Sequence, residues 1–192
     1  HLLKLKGGDK RLKCTPPHDV PGTPANEVMI KALVPEAQKT ADRLNELIVK
    51  SQELLCNHPV NLKRKAEGKD MANSIWPWSP GYKPQMKPIT QQYGLRNGVV
   101  ISAVDLIKGI GIYAGLRSID VEGATGLYDT NYEGKTEAAI EALKDNDFVY
   151  LHIEASDEAG HEGNALLKKK TVEFLDHRVL KRLVEASQEM DE

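Results

Sequence analysis

The sequence predicts an α/β fold, and three observations carry that prediction. Val99-Val100-Ile101 is a short unbroken apolar run, the pattern of a strand covered on both faces. Phe148-Val149-Tyr150-Leu151-His152-Ile153 is a second and stronger strand signal, and it comes directly after an Asn-Asp turn. Between and after these runs lie segments of helical periodicity, so strands and helices alternate in a βαβ rhythm.

In chain order, His1–Leu5 alternates apolar and polar residues and predicts a half-buried strand. Gly7-Gly8, Pro16-Pro17 and Pro21-Gly22 punctuate residues 1–26 into short strands and turns. Residues 27–58 are expected to be helical, with Ala41, Leu44, Leu47, Ile48, Leu54 and Leu55 spaced by threes and fours. Pro35 belongs near a helix start or a break, because a proline deeper inside removes a backbone donor. Asn57-His58-Pro59 is expected to end the helix, and residues 59–94 to be rich in turns. A helix over Ala103–Leu116 would turn Val104, Ile107, Ile110 and Gly111 inward, weakened by Gly109 and Gly111. Glu133–Lys144 is a clearer amphipathic helix, and Asp176–Glu192 reads as a terminal one. The irregular stretch with prolines at 84 and 88 suggests a domain boundary near residues 85–93.

Composition narrows the function classes. The chain has 192 residues, 26 Lys+Arg against 28 Asp+Glu, a net charge of −2, 40% hydrophobic and 28% charged residues. That is ordinary for a globular chain and too apolar for a disordered one. No apolar stretch approaches the roughly 20 residues of a spanning helix, so no membrane partner is expected. No basic stripe stands out, which argues against nucleic acid. Two cysteines, Cys14 and Cys56, do not make a disulfide scaffold and fit a reducing cytoplasm. A chain that opens in a strand and closes in a helix reads as a piece of something longer, and a sheet so interrupted would leave apolar edges open to self-association.

The sharpest chemical pattern lies just after the strand at 148–153. Asp157 and His161 are separated by three residues in EASDEAGHEG, beyond the carboxyl end of a strand, where ligands of open α/β sheets bind. One helical turn would bring both side chains to one zinc or manganese ion. By spacing alone a solvated acidic loop is the favoured reading of the same residues, and two ligands do not complete a catalytic zinc site. Thr15–Gly22 (TPPHDVPG) is a proline-stiffened loop that could present His18 and Asp19 in a fixed pose, or merely turn on the surface. Arg96 and Lys108 flank the Val99 strand among glycines and suit a phosphate or carboxylate, or are solvated surface charges. The glycines there form neither a Walker A loop nor GxGxxG. His152, inside an apolar strand, reads as a core histidine with satisfied hydrogen bonds, and Trp76 and Trp78 as core or contact residues.

Taken together, Thr15–Gly22, Ala72–Trp78, Leu95–Gly111, Gly123–Gly126 with Asp129–Tyr132, and His152–Gly163 make the chain resemble the cofactor-independent phosphoglycerate mutases of archaeal type, in the alkaline phosphatase superfamily. The resemblance implies an inserted α/β domain that holds substrate (residues 1–88), followed by part of an alkaline phosphatase-like α/β domain that binds metal (residues 89–192). It implies that Asp157 and His161 are metal ligands, and that Lys108 and His18 bind substrate; Asp19, beside His18, and Arg96, by its charge and position, are expected to join them. It implies two divalent metal ions in the parent enzyme, manganese or zinc with magnesium as a third candidate, and no organic cofactor. The parent reaction would interconvert 3-phosphoglycerate and 2-phosphoglycerate, in glycolysis and gluconeogenesis, through a phosphoserine intermediate. Nothing in this sequence matches the family's nucleophilic serine or its second Asp-His metal pair. Asp176-His177 is adjacent in sequence but lies in a helix-periodic stretch. The fragment alone is therefore expected to be inactive. Two alternatives stay open: a related phosphotransferase, such as a homoserine kinase-like member, and a non-catalytic binding module.

Overall fold

The computed structural model describes residues 2–190. They form two compact units that divide between Lys83 and Pro84. The division falls ahead of Pro88 because that proline packs within the second unit. A side chain on Gly115 would meet its ring at 2.7 Å, and the next amide, Ile89, donates to the Ala114 carbonyl at 2.8 Å.

The first unit is one long helix laid against a minimal hairpin. Strand β1 (Leu12–Lys13) pairs antiparallel with β2 (Lys31–Ala32), Leu12 opposite Ala32. Helix α1 (Gln38–Cys56) turns Ala41, Leu44 and Ile48 onto Leu12 and Ile30, with Leu5, Met29, Val34, Leu47 and Trp76 around them. The hairpin is too short to hold itself, and α1 reinforces it with an amide. Asn45 Oδ1 accepts from the Ile30 amide (3.0 Å), and Asn45 Nδ2 donates to the Ile30 carbonyl (2.9 Å).

Three expectations for this unit are corrected. Leu2–Leu5 is not a strand, because among the described residues no strand pairs with it; Leu3 is exposed and Leu5 packs against the core. Residues 27–37 are not part of the long helix. They hold β2 and the tight turn Pro35–Ala37, where the proline starts the helical path and its missing N–H costs nothing. Asn57-His58-Pro59 ends α1 but also begins a new helix, α2 (Pro59–Ala66), with Pro59 in its first turn and His58 Nδ1 accepting from the Val60 amide at 3.3 Å. Buried Asn61 then ties α2 to the segment after it, donating to the Leu55 and Ala72 carbonyls and accepting from the Ala72 amide.

The second unit is built on a parallel sheet in the order β4-β3-β5. Short helix α3 (Ile89–Tyr93) leads to β3 (Val99–Ile101); α4 (Asp105–Tyr113) crosses to β4 (Arg117–Ile119), and α5 (Tyr132–Leu143) precedes β5 (Val149–Leu151). Val99 lies opposite both Arg117 and Val149. Helices α6 (Ala155–His161), α7 (Ala165–Phe174) and α8 (Lys181–Met190) complete the unit, the last two joined without a break by a π turn, Leu175–Leu180. That wider turn resets the apolar face. Leu175, Val179 and Leu183 pack with Tyr132, Ala155 and Phe174, whereas Val172 and Leu180 are exposed. Arg178 lies over the rings of Tyr132 (4.5 Å) and Phe174 (4.9 Å), and its Nη2 donates to Glu133 Oε2 at 2.6 Å.

Here too the sequence-based expectations need adjustment. α4 is shorter than expected, and Ile110 faces outward. β4 has no clear sequence signature because it opens on an exposed arginine and a serine. Among the described residues no helix is long and apolar enough to cross a membrane. His1 of the expected opening strand, and Asp191 and Glu192 of the terminal helix, lie outside the described residues.

Gly111 sets how closely α4 approaches the sheet, since a Cβ there would stand 2.5 Å from Val100 Cγ1 and 2.8 Å from Val100 Cβ. Gly111→Ala is expected to destabilise the second unit by about 1–3 kcal/mol through overpacking, despite alanine's better helix propensity. Urea denaturation checks this; an unchanged or raised midpoint would contradict it.

Candidate functional site

Parallel strands all point their carboxyl ends the same way, so the residues just past β3, β4 and β5 collect along one edge of the sheet. After β3 comes Ser102, 3% exposed. Its Oγ accepts from the Val104 amide at 3.0 Å and lies 3.2 Å from Nδ1 of His152, the residue after β5. His152 is half-buried, with the Tyr150 ring stacked 6.3 Å away. The expected core histidine is thus only half-buried and, among the described residues, is hydrogen-bonded through one ring nitrogen, not both. After β4 comes Asp120, which accepts from Lys108 Nζ at 2.6 Å. Lys108 therefore stands at this edge already paired, with its ammonium partly shielded.

Helix α6 begins three residues beyond His152 and carries the expected metal ligands. Asp157 and His161 are one turn apart on its exposed side, with Asp157 Oδ2 3.1 Å from His161 Nε2. Glu154, at the start of the same turn, brings a carboxylate oxygen within 4.8 Å of Asp157 and Glu158. This short stretch of helix therefore presents three carboxylates and an imidazole. Hard oxygens plus one imidazole form a donor set suited to manganese, magnesium or zinc. The backbone supplies this order directly, because residues one turn apart share a face.

A residue that sequence reasoning missed lies beneath this turn. Lys135 of α5 is 1% exposed, and its Nζ donates to the Thr125 carbonyl at 3.1 Å. Burial pushes its pKa below the ordinary lysine value, and the charge of Glu154 works in the opposite direction. The clue lies in the spacing: Lys135, Ala139 and Ala142 are four and three apart, so a lysine sits on the apolar face of an amphipathic helix. Lys135 also anchors the loop over residues 122–131. There the Thr125 hydroxyl donates to Asp129 Oδ1 (3.0 Å), the Thr125 amide donates to Thr130 Oγ1 (3.0 Å), and Asn131 Nδ2 donates to the Glu122 carbonyl (2.9 Å). Gly126 in this loop leaves the Glu154 carboxylate room to lie alongside, 3.6 Å from where a Cβ would stand.

The remaining expected site residues lie elsewhere. Arg96 is at the amino ends of the strands, forked onto Asp147, with Nη2 2.6 Å from Oδ1 and the backbone amide 2.8 Å from Oδ2. It therefore joins the segments leading into β3 and β5 and is not brought together with Lys108, Asp157 and His161. The arginine holds the Asp147 carboxyl below the usual carboxylate range. His18 and Asp19 belong to the first unit. Both are exposed on the turn Pro17–Asp19, with His18 Nε2 3.6 Å from Asp19 Oδ1 and its ring edge-on to Trp78. Asp176 and His177 are exposed on the π turn.

Lys135 yields a pH prediction. Its folded-state pKa lies below the unfolded value of 10.5, so between the two the unfolded chain binds the extra proton and stability rises with pH. Lys135→Met is expected to cost about 1–3 kcal/mol at neutral pH by orphaning the Thr125 carbonyl, and to remove that alkaline rise. Thermal melts across the alkaline range check both effects; a variant whose melting temperature still climbs as the wild type's does would refute the linkage.

Among known proteins, the 2,3-bisphosphoglycerate-independent phosphoglycerate mutase of Methanosarcina mazei is 51% identical over 94% of this chain, which covers 44% of that protein. The mutase of the same name from Methanosarcina acetivorans is 49% identical over the whole chain, which covers 47% of it. A solved structure from Pyrococcus horikoshii superposes with a TM-score of 0.66 at 35% identity, over 79% of this chain and 40% of its own. The cofactor-independent phosphoglycerate mutase from Thermoplasma acidophilum has the same fold, with a TM-score of 0.50 at 22% identity over 90% of this chain and 46% of its own. The chain thus spans less than half the length of the curated relatives it matches. The family model that describes the Metalloenzyme superfamily matches residues 22–192. That match takes in all of the described second unit and most of the first, and the chain belongs to the metalloenzyme superfamily.

Proposed function

We propose that this chain is the part of a cofactor-independent phosphoglycerate mutase that supplies one position of its divalent-metal centre and a share of its substrate-holding groups. The observation that carries this reading is the Asp157–His161 pair, one helical turn apart on α6 and just beyond the carboxyl end of β5. The identity to archaeal mutases over nearly the whole chain supports it. Asp157 and His161 are the proposed ligands, and Glu154 and Glu158 bring carboxylate oxygens within 4.8 Å of that of Asp157, where they are proposed to orient the ion's water. A divalent ion here, manganese first and zinc or magnesium next, would supply Lewis-acid polarisation of phosphoryl oxygens.

The chain's own residues contribute binding and orientation. Lys108 is proposed to hold a phosphate or carboxylate, and that role requires it to exchange Asp120 for the ligand. Asp120 thereby keeps the ammonium in place and partly neutralised until an anion arrives. His18 and Asp19 are proposed as substrate-holding groups of the first unit, and the Arg96–Asp147 fork as a brace between strands rather than a substrate contact. The proposed substrates are 3-phosphoglycerate and 2-phosphoglycerate, and the proposed setting is the cytoplasmic reactions of glycolysis.

Two measurements test the reading. Calorimetry on the 192-residue chain is expected to show weak manganese binding that Asp157→Ala removes; tight binding that survives the substitution would contradict the ligand assignment. A polypeptide of the relatives' length carrying this sequence is expected to interconvert the phosphoglycerates only with a divalent metal. Asp157→Ala in it is expected to lower turnover by roughly 10–100-fold or more. Phosphorylation of homoserine from ATP in place of mutase turnover would assign the protein to a different phosphotransferase, and the 192-residue chain alone is expected to be inactive.

A further inference from the structure

The mutase reading makes no use of Ser102 and His152, yet they join the carboxyl ends of β3 and β5 at the same edge as Lys108 and α6. A serine hydroxyl has one proton to donate and lone pairs to accept with. Ser102 Oγ already accepts from the Val104 amide at 3.0 Å. Its residue is 3% exposed, so water is not an easy recipient for the proton. Among the described residues the other polar atom within bonding distance is His152 Nδ1, at 3.2 Å. The hydroxyl proton therefore points to Nδ1, which makes Nδ1 an acceptor and puts the ring proton of the neutral imidazole on Nε2.

Nε2 has no protein partner among the described residues, and it is not among the buried atoms left without a hydrogen bond, so it reaches solvent. The ring cannot swing freely. The His152 amide is held by the Ile101 carbonyl at 2.9 Å, Nδ1 is held by Ser102, and the Tyr150 ring stacks against the imidazole. The result is one N–H of fixed direction, unspent, at the sheet edge where ligands of such folds bind.

We propose that His152 donates this Nε2–H to an oxyanion of the bound substrate, a phosphoryl or carboxylate oxygen, and that Ser102 is the positioning residue that selects the tautomer. The inference rests on the mutase reading for the identity of that substrate, and on the geometry alone for the anion site. A neutral donor suits a place already crowded with carboxylates, since it contacts an oxyanion without joining the charge balance among Lys108, Asp120 and the α6 acids.

The test uses the nitrogen-15-labelled 192-residue chain at about pH 8, where an imidazole is mostly neutral. Long-range nitrogen–proton spectra are expected to show the Nε2–H tautomer for His152, and mixed tautomers in Ser102→Ala. Titration with inorganic phosphate and, separately, with 3-phosphoglycerate is expected to shift the Nε2 resonance to saturation. His152→Gln, which places an amide N–H near the Nε2 position, is expected to keep phosphate affinity within about threefold, while His152→Phe loses about tenfold. Near-ultraviolet circular dichroism verifies that each variant is folded. An Nδ1–H tautomer, a ring unmoved by phosphate, or unaltered binding by folded His152→Phe would overturn the inference. Phosphate moving the ring when 3-phosphoglycerate does not would keep the anion site and sink the mutase substrate instead; 3-phosphoglycerate binding with the ring unmoved would do the reverse.

Discussion

Val99, Val100 and Ile101 have no solvent-facing side, and the architecture of the second unit derives from that constraint. A strand buried on both faces needs a neighbour on each edge and a helix pressed onto it, and β4, β5 and α4 meet those needs. Parallel pairing is what allows a crossover helix to return over the face. Pressing α4 close requires a residue without a side chain against Val100, which is Gly111. The directionality of the sheet then delivers Ser102, Asp120, His152 and α6 to a common edge. The chemistry of the site is a consequence of which way three short strands run.

Much of this is legible where residue type and period carry the signal by themselves, whether the element ends up buried like Val99–Ile101 or exposed like Asp157 and His161. The runs at 99–101 and 149–151, the helix at 132–143 and the Asp157/His161 spacing can be read from residue type and period alone. Other features depend on partners far away in the chain. β4 is a strand because β3 lies beside it, not because Arg117-Ser118-Ile119 favours one. Leu2–Leu5 has the alternation of a strand but no pairing strand among the described residues. Pro59 reads as a stop because proline is ambiguous at helix boundaries; His58 as cap and Asn61 as anchor resolve it into a start. The placement of Arg96 is not legible because charge says what a side chain binds but not which end of the sheet it occupies, and Asp147 claims it 51 residues away.

The electrostatics of the edge are a balance of neighbours more than of isolated groups. Glu154, Asp157 and Glu158 crowd three like charges into one turn. Lys135 counters the charge of Glu154, and a divalent cation would offset more. Such crowding disfavours the folded chain when nothing is bound and favours it when a cation is. The same carboxylates that make the helical turn costly are what make it selective for positive charge.

The amide of Asn45 closes on Ile30 as a third strand would, though it belongs to a helix. The exchange of the Ile30 amide hydrogen with solvent therefore depends on α1 being folded and docked, since two residue pairs of hairpin give it little protection of their own. A single backbone position in the hairpin becomes a reporter for the opening of a helix whose interacting residue lies 15 positions along the chain.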